Sequence, residues 1–356
     1  MCVSRSAIAL RAERELVRVC HSGLDADGVR REVLRGLRRL MPIDAAFLAT
    51  ADPETLLFTG AWPEEPLDTA TRVFLDNEFG RDDVNKFAAL ATSSRRVSSL
   101  DAATGRDRWS SERYREIMRP LGLGDELRAA LVAGGRCWGY LCLHREDHPL
   151  GFTPAETAAL SRLSPHIAEA LRVAVLLHSA ESPGATLRPG VVVLADDHSV
   201  VAITPEAEQL LSLIEPDRHD AVALPLAVHT VAAALKAIER GTFTPTVLPS
   251  TTVPTVAGPS LHLHASRLNG PGGASTVAVV VEPAQPRATV PLLLSAHGLS
   301  PREAEVARLV LRGHHTHTIA DELHISSHTV QDHLKAVFDK VGVRSRRDLV
   351  SRLLNP

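Results

Sequence analysis

The sequence predicts a multidomain α+β chain: two mixed α/β units followed by an all-α unit of four helices. Three observations lead there. A length of 356 residues exceeds what one ordinary core organises and suits two or three domains. Two seams containing Pro or Gly, HSAESPGATLRPG at 178–190 and EPAQPRATVP at 282–291, lack periodicity and read as linkers. Before and between them apolar residues form strand-like runs as well as helical stripes, whereas after them they recur at helical spacing alone. The domains expected are therefore 8–178, 186–284 and 292–356.

The first unit opens with an amphipathic helix begun by Leu16, Val17 and Val19, broken near Gly23 and continued by Val29, Val33, Leu37 and Leu40. DAAFLATADP and TLLFTGAWP read as strands, each closed by Pro, and a charged stretch without clear pattern follows. ELRAALVAGGRCWGYLCLHRE at 126–146 predicts a hairpin around Gly134-Gly135. FTPAETAALSRLSPHIAEALRVAVLL at 152–177 predicts a helix with Thr153 as N-cap, Pro154 at N1 and Glu156 at N3. Its stripe of Leu160, Leu163, Ile167, Leu171, Ala174 and Leu177 is nearly heptad. A helix lying on its own sheet is the commoner use of such a stripe, and a dimer coil the alternative. Pro165 predicts a bend or restart. In element order, and in GYLCLHRE, the unit resembles a GAF-type sensor domain. That resemblance implies a cupped sheet that holds a small ligand or pairs with a second subunit, and it singles out no residue for either role.

The second unit begins GVVVLADDHSVVAITPEAEQLLSL, two strands turning at Asp196-Asp197 and a helix started by Thr204-Pro205 with Glu206 and Glu208. The opening is compatible with a phosphorylated receiver, but residues 238–256 offer no phosphate-accepting Asp, and the unit's one Lys, Lys236, falls in a predicted helix. A PAS-type sensor is the better resemblance: the helix AVHTVAAALKAIERG and the late strands SLHLHASRL and STVAVVVEP follow that order. LHLHASRL sets His262, His264 and Ser266 on one face and Leu261, Leu263 and Ala265 on the other. Two histidines at i, i+2 without a third ligand suit a solvated sheet face better than a metal. GPGGAS at 270–275 lacks the trailing Lys and Ser/Thr of a phosphate loop.

Four cysteines (Cys2, Cys20, Cys137, Cys142) form no metal-binding spacing and fit a reducing cytosol. No apolar run reaches membrane length, and MCVSRSAIALRAERE is too soon charged for a secretory signal. A cytoplasmic chain is expected, with no membrane partner, no metal and no cofactor. Net charge is −3, but from His297 onward nine Arg/Lys face seven Asp/Glu, with seven His besides. A mildly basic tail on an acidic body points to a polyanion partner.

That tail has the sharpest pattern. LSPREAEVARLVLRG begins a helix with Ser300 as N-cap, Pro301 at N1 and Glu303 at N3, and Gly313 closes it. A second helix starts near Thr316 and buries Ile319, Ala320 and Leu323. The turn His324-Ile325-Ser326 leads to a third helix, ISSHTVQDHLKAVF onward, with Val330, Leu334, Val337, Phe338 and Val341 on one face. Gly342 ends it, and Ser345 caps a fourth. Two short helices, a tight turn and a longer helix form a helix-turn-helix. Turning the third helix through about 100° per residue from Val330 points His328, Gln331, Asp332, Lys335 and Asp339 outward, with Ser326, Ser327 and Thr329 at its start. Such side chains reach base edges in a major groove, while Lys340, Arg344 and Arg346 suit phosphates.

These residues resemble the DNA-binding domain of LuxR-type transcription regulators. The resemblance implies a four-helix domain whose third helix enters the major groove of double-stranded DNA and whose fourth helps form a homodimer. It places Thr329, Gln331, Asp332 and Lys335 at base- or backbone-facing positions and Lys340, Arg344 and Arg346 at phosphates; Thr316, at the start of the second helix, is a further candidate DNA-binding residue. The family usually carries Lys at the position of Gln331, and often at those of His317 and His328. The fold class expected is thus multidomain α+β, two sensor-type α/β domains (GAF-like, PAS-like) ahead of an all-α helix-turn-helix domain. The function expected is a DNA-binding transcription regulator under a small-molecule or partner signal, with RNA polymerase a further partner. An enzyme with a DNA-binding tail would need a nucleophile–base motif or Walker-type loop, and neither is seen. A sigma factor would need an aromatic, basic helical region upstream, yet aromatic residues make up 4% of the chain.

With lysines missing there, the head's charge depends on histidine. Protonation of His314, His315, His317 and His328 is expected to strengthen DNA binding as pH falls through roughly 6.5. Operator affinity measured at two pH values checks this: the double variant His317→Gln, His328→Gln shows a weaker pH dependence, and an unchanged dependence rejects the idea.

Overall fold

The apolar runs of the first 283 residues pair into two antiparallel five-stranded sheets in the structure, a computed structural model that describes residues 2–146, 150–179, 187–214, 224–243, 249–256, 258–269 and 275–354. Helices α1 (Cys2–Cys20) and α2 (Ala26–Arg38) meet at a turn where Asp25 caps α2 by accepting from the Gly28 N–H at 2.7 Å. Strands β1 (Ala45–Ala51) and β2 (Phe58–Pro63) follow. The charged stretch, patternless in sequence, folds into the short helices α3 (Thr71–Leu75), α4 (Phe87–Thr92) and α5 (Leu100–Thr104). It also forms strand β3 (Val97–Ser99) and two π-helical turns, Asp76–Gly80 and Tyr114–Met118.

The hairpin is β4 (Leu123–Ala133) with β5 (Arg136–Glu146). Gly134 and Gly135 turn it with φ of 59° and 76°, the pair of positive values that a two-residue hairpin turn matched to strand twist requires. The sheet order is β2-β1-β5-β4-β3. Helix α6 (Pro154–Ser179) lies across β4 and β5 with Leu160, Leu163, Ile167 and Leu171 buried. Of the bend or restart expected at Pro165, the restart does not occur: the helix runs through it. Proline removes the N–H that would bond to Ser161, and the Ser164 hydroxyl donates to that carbonyl instead, at 3.2 Å.

The second sheet joins β6 (Gly190–Leu194), β7 (Val200–Ile203), β8 (Ser250–Val253), β9 (Leu261–Asn269) and β10 (Ser275–Pro283) in the order β7-β6-β10-β9-β8. Counted within each sheet, the two orders are the same. Helices α7 (Pro205–Leu211) and α8 (Leu226–Glu239) pack on it. On β9, Leu261, Leu263 and Ala265 are buried, and His262, His264 and Ser266 occupy the other face. No third metal-binding side chain joins the two histidines among the described residues. Of the first seam, residues 180–186, and of the loop at 270–275, residues 270–274, lie outside the described residues.

The two sheets share one core. Helix α8 buries Ala227, Val228, Thr230, Val231, Ala232, Ala233, Ala234 and Ala237, a composition apolar on nearly every side, so it must be covered on more than one side. Its small residues let it pack against β9 and also against β2 and α3 of the first sheet's unit. Phe47, Phe58 and Phe87 therefore belong to the same cluster as Val192, Val231 and Val279. Asp52 accepts from the Thr252 N–H at 3.3 Å, and the Thr242 hydroxyl donates to the Phe79 carbonyl at 3.2 Å, so polar bonds cross the same junction.

The second expected linker is not one. Helix α9 (Pro286–Ala296) starts three residues past β10 and buries Val290, Leu293 and Leu294 in the terminal core. VPLLLSA has the apolar spacing for this, and Pro286 sits at a first-turn position where its missing N–H costs nothing. Ala296 packs among residues of α6, and the Arg172 guanidinium donates to the Ala296 carbonyl, which ties the head to the first unit. The bundle continues with α10 (Pro301–Leu311), α11 (Thr316–Leu323), α12 (Ser327–Val341) and α13 (Arg346–Leu354). Ser300 and Glu303 form a complete capping box.

His324, at the turn between α11 and α12, holds φ 53°, ψ 45°. A side chain in the left-handed region costs roughly 1–2 kcal/mol. His324→Gly is expected to raise the unfolding midpoint of the head by the equivalent of about 1 kcal/mol, and His324→Val to lower it. Thermal denaturation of the two variants checks both signs.

Candidate nucleic-acid interface and buried cavity

Capping chemistry decides what the third helix of the head presents. Ser326 is its N-cap: Oγ accepts from the Thr329 N–H at 3.0 Å and pairs with Thr329 Oγ1 at 2.8 Å. These two predicted site residues therefore hold the helix start in shape. Ser327, His328, Gln331, Asp332 and Lys335 are exposed, and Val330, Leu334, Val337 and Val341 are buried beneath them. Ile325, half-buried, donates its N–H to the Ala320 carbonyl at 3.0 Å, which locks the turn. The result is one polar ridge on a rigid helix.

The predicted phosphate-facing residues differ in freedom. Arg344 is exposed. Lys340 donates to Glu303 Oε2 at 2.6 Å and so joins the α10 capping box. Arg346 donates to the His314 carbonyl at 2.8 Å and to Thr316 Oγ1 at 2.7 Å, pinning the start of α11 to that of α13. Two histidines of the head face carboxylates. His314 Nδ1 lies 3.3 Å from Glu322 Oε2, without hydrogen-bond alignment, and His328 Nε2 lies 3.9 Å from Asp332 Oδ2. Charge gained there on protonation is partly answered within the head.

A second site was not visible from the sequence. Alternation along β4 puts Glu126 and Arg128 on one face of the first sheet, and pairing sets Glu126 opposite His144 and Arg128 opposite Cys142. Phe47 flanks Cys142 on the other side. This face floors a cavity of about 190 Å³, whose walls include Phe74, Ile117 and Met118 and whose rim includes Leu224 and Leu226 from the second unit.

Ionic groups on the floor are paired. Arg128, fully buried, donates to Glu126 and, at 2.7 Å, to Glu78, and stacks 4.4 Å above the Phe87 ring. Arg113 donates to Glu126 Oε2 at 2.8 Å and to the Val84 carbonyl at 3.1 Å. Burial alone would raise the Glu126 carboxyl, but the charges of Arg113 and Arg128 hold it well below the usual range. Burial pushes His144 down to about 4, so its imidazole is neutral at neutral pH. Burial likewise keeps the Cys142 thiol well above its ordinary value, so it is protonated and a poor nucleophile.

Glu126, Cys142 and His144 bring three possible metal ligands within 4.8 Å of one another. Both Glu126 oxygens already accept from guanidinium groups, and the two positive charges disfavour a cation there. No helix among the described residues is long and apolar enough to cross a membrane.

Residues 297–353 match the family described as bacterial regulatory proteins, luxR family. Residues 25–171 match the GAF domain. No curated protein matches the chain in sequence. Among solved structures, SdiA of Escherichia coli is 13% identical with a TM-score of 0.34, covering 96% of this chain and 94% of its own. The LBD domain of VqsR from Pseudomonas aeruginosa is 16% identical with a TM-score of 0.33, covering 47% of this chain and 95% of its own. The VqmA–ligand–DNA complex of Vibrio cholera is 19% identical with a TM-score of 0.22, covering 48% and 83%. These structural likenesses are weak.

Removing one member of a buried ion pair leaves its partner's charge uncompensated, at about 3–5 kcal/mol. Arg128→Met is expected to lose that much stability, because Glu78 loses its guanidinium partner and Glu126 keeps only Arg113 of its two. Denaturant unfolding monitored by tryptophan fluorescence checks it.

Proposed function

Taking as premise a chain whose residues 297–353 are a luxR-family regulatory domain and whose residues 25–171 are a GAF domain, hence a DNA-binding transcription regulator, we propose that it is a cytoplasmic homodimer acting by binding rather than catalysis. It answers to an effector held in the first unit's cavity. The proposed domain limits are 8–178 for the GAF unit, 186–284 for a second, PAS-like sensor unit and 292–356 for the DNA-binding head, into which α9 leads.

The observation that carries the DNA reading is the exposed ridge on α12. Ser327, His328, Gln331, Asp332 and Lys335 read base edges or the adjoining backbone. Arg344 binds phosphate, and Lys340 does so on leaving Glu303. Ser326, Thr329, Thr316 and Arg346 set the geometry of the helix starts from which those contacts are made, and their remaining donors add backbone contacts. RNA polymerase is a further partner of this reading.

Footprinting with the full chain on its own upstream DNA tests this. A protected, near-palindromic site is expected, with affinity falling as salt rises. Lys335→Gln is expected to reduce the slope of log affinity against log salt by about one. No protected site and no salt-sensitive attachment would reject the reading.

A further inference from the structure

Among the described residues that line the cavity, one buried side-chain atom has no hydrogen-bond partner. His144 is 5% exposed, and its Nδ1 is buried and unbonded. A buried polar atom left so costs stability, and the group that answers it gains what was lost. The network assigns its role. Cys142 Sγ lies 3.1 Å from His144 Nε2 and within 4.8 Å of a Glu126 carboxylate oxygen, and of these two acceptors the anionic carboxylate takes the thiol hydrogen in preference to a neutral imidazole. Cys142 Sγ is then an acceptor, Nε2 carries the imidazole hydrogen, and Nδ1 is left as a bare lone pair.

The charges around it exclude ions. Arg113 and Arg128 line the cavity, but Glu126, Glu78 and Asp83 already face them. A charged guest would give up its hydration and meet no unpaired opposite charge. The walls are apolar and aromatic: Phe47, Phe74, Ile117 and Met118. Size sets the last limit. An apolar cavity of 150 Å³ takes a benzene, and this one measures about 190 Å³.

We propose that the cavity selects a small uncharged molecule of roughly eight non-hydrogen atoms, an apolar ring or short branched chain bearing one hydroxyl or N–H that donates to His144 Nδ1. Leu224 and Leu226 of the second unit close over the guest, so its shape is felt at the start of α8. This specificity rests on the reading of the cavity as the effector site.

Three one-ring probes separate the alternatives: phenol, a neutral donor; anisole, a neutral acceptor without a donor; and benzoate, an anion. Titration of the full chain, followed by calorimetry or ligand-observed NMR, is expected to show saturable phenol binding. Anisole is expected to bind about tenfold more weakly, and benzoate not at all. In His144→Leu, phenol falls to the level of anisole while anisole binding persists, which shows that the cavity still forms. The proposal is overturned by benzoate binding as well as phenol, by anisole matching phenol, by a phenol preference that survives His144→Leu, or by no saturable binding of any probe. The wild-type comparison stands without the variant. DNA attachment measured on the same preparation keeps the two readings apart: intact attachment without probe binding rejects the cavity specificity alone, and probe binding without attachment rejects the regulator.

Discussion

A helix that is apolar on nearly every side has no face to give to water, and α8 imposes that constraint on most of this chain. Its alanines and valines are covered by β9 on one side and by β2 and α3 on the other. Covering it draws the two sheets together into one cluster. The same packing brings Leu224 and Leu226 to the rim of the first unit's cavity. The two sheet-containing units are therefore coupled by hydrophobic burial, which acts in all directions and needs no specific pairing between them.

Against that non-directional core stands a set of fully specified polar contacts. Glu126, Arg128, Arg113 and Glu78 are each buried, and such groups are tolerated only as a closed set. Every charge on the cavity floor has a neighbour of opposite sign, which leaves His144 as the group with something still to offer. Burial holds its imidazole neutral, and neutrality leaves a lone pair on one nitrogen. The selectivity argued for the cavity thus comes from what the ion pairs consume.

In the DNA-binding head, the same residue types are divided between shape and contact. Ser326, Thr329, Lys340 and Arg346 all bond within the head, to N–H groups, a capping carboxylate or a backbone carbonyl. Ser327, His328, Gln331, Asp332, Lys335 and Arg344 are exposed. A position that faces outward by helical phase can still be occupied with capping its own helix, and only the bonds themselves distinguish the two. The tie from Arg172 to Ala296, beside the α6–α9 contact, places the head directly against the first unit.

Local chemistry made the head legible in sequence. Caps at Ser300, Ser326 and Ser345, glycines at 313 and 342, and one apolar face on each helix act over a few residues, so the string of letters contains them. The Gly-Gly hairpin and the alternation of β9 were legible for the same reason. What only the tertiary structure decided were relations between distant segments. The stretch 282–291 reads as a seam because its prolines mask an apolar face that matters only once α10 and α13 are there to cover it. Pro165 reads as a break because its rescue by the Ser164 hydroxyl is a matter of three-dimensional reach. The cavity was invisible because Glu126 and His144, eighteen positions apart, meet only through strand register, and Leu226 joins the lining from another unit. Register and burial are set by the whole fold, and a sequence displays their consequences only after the partners are known.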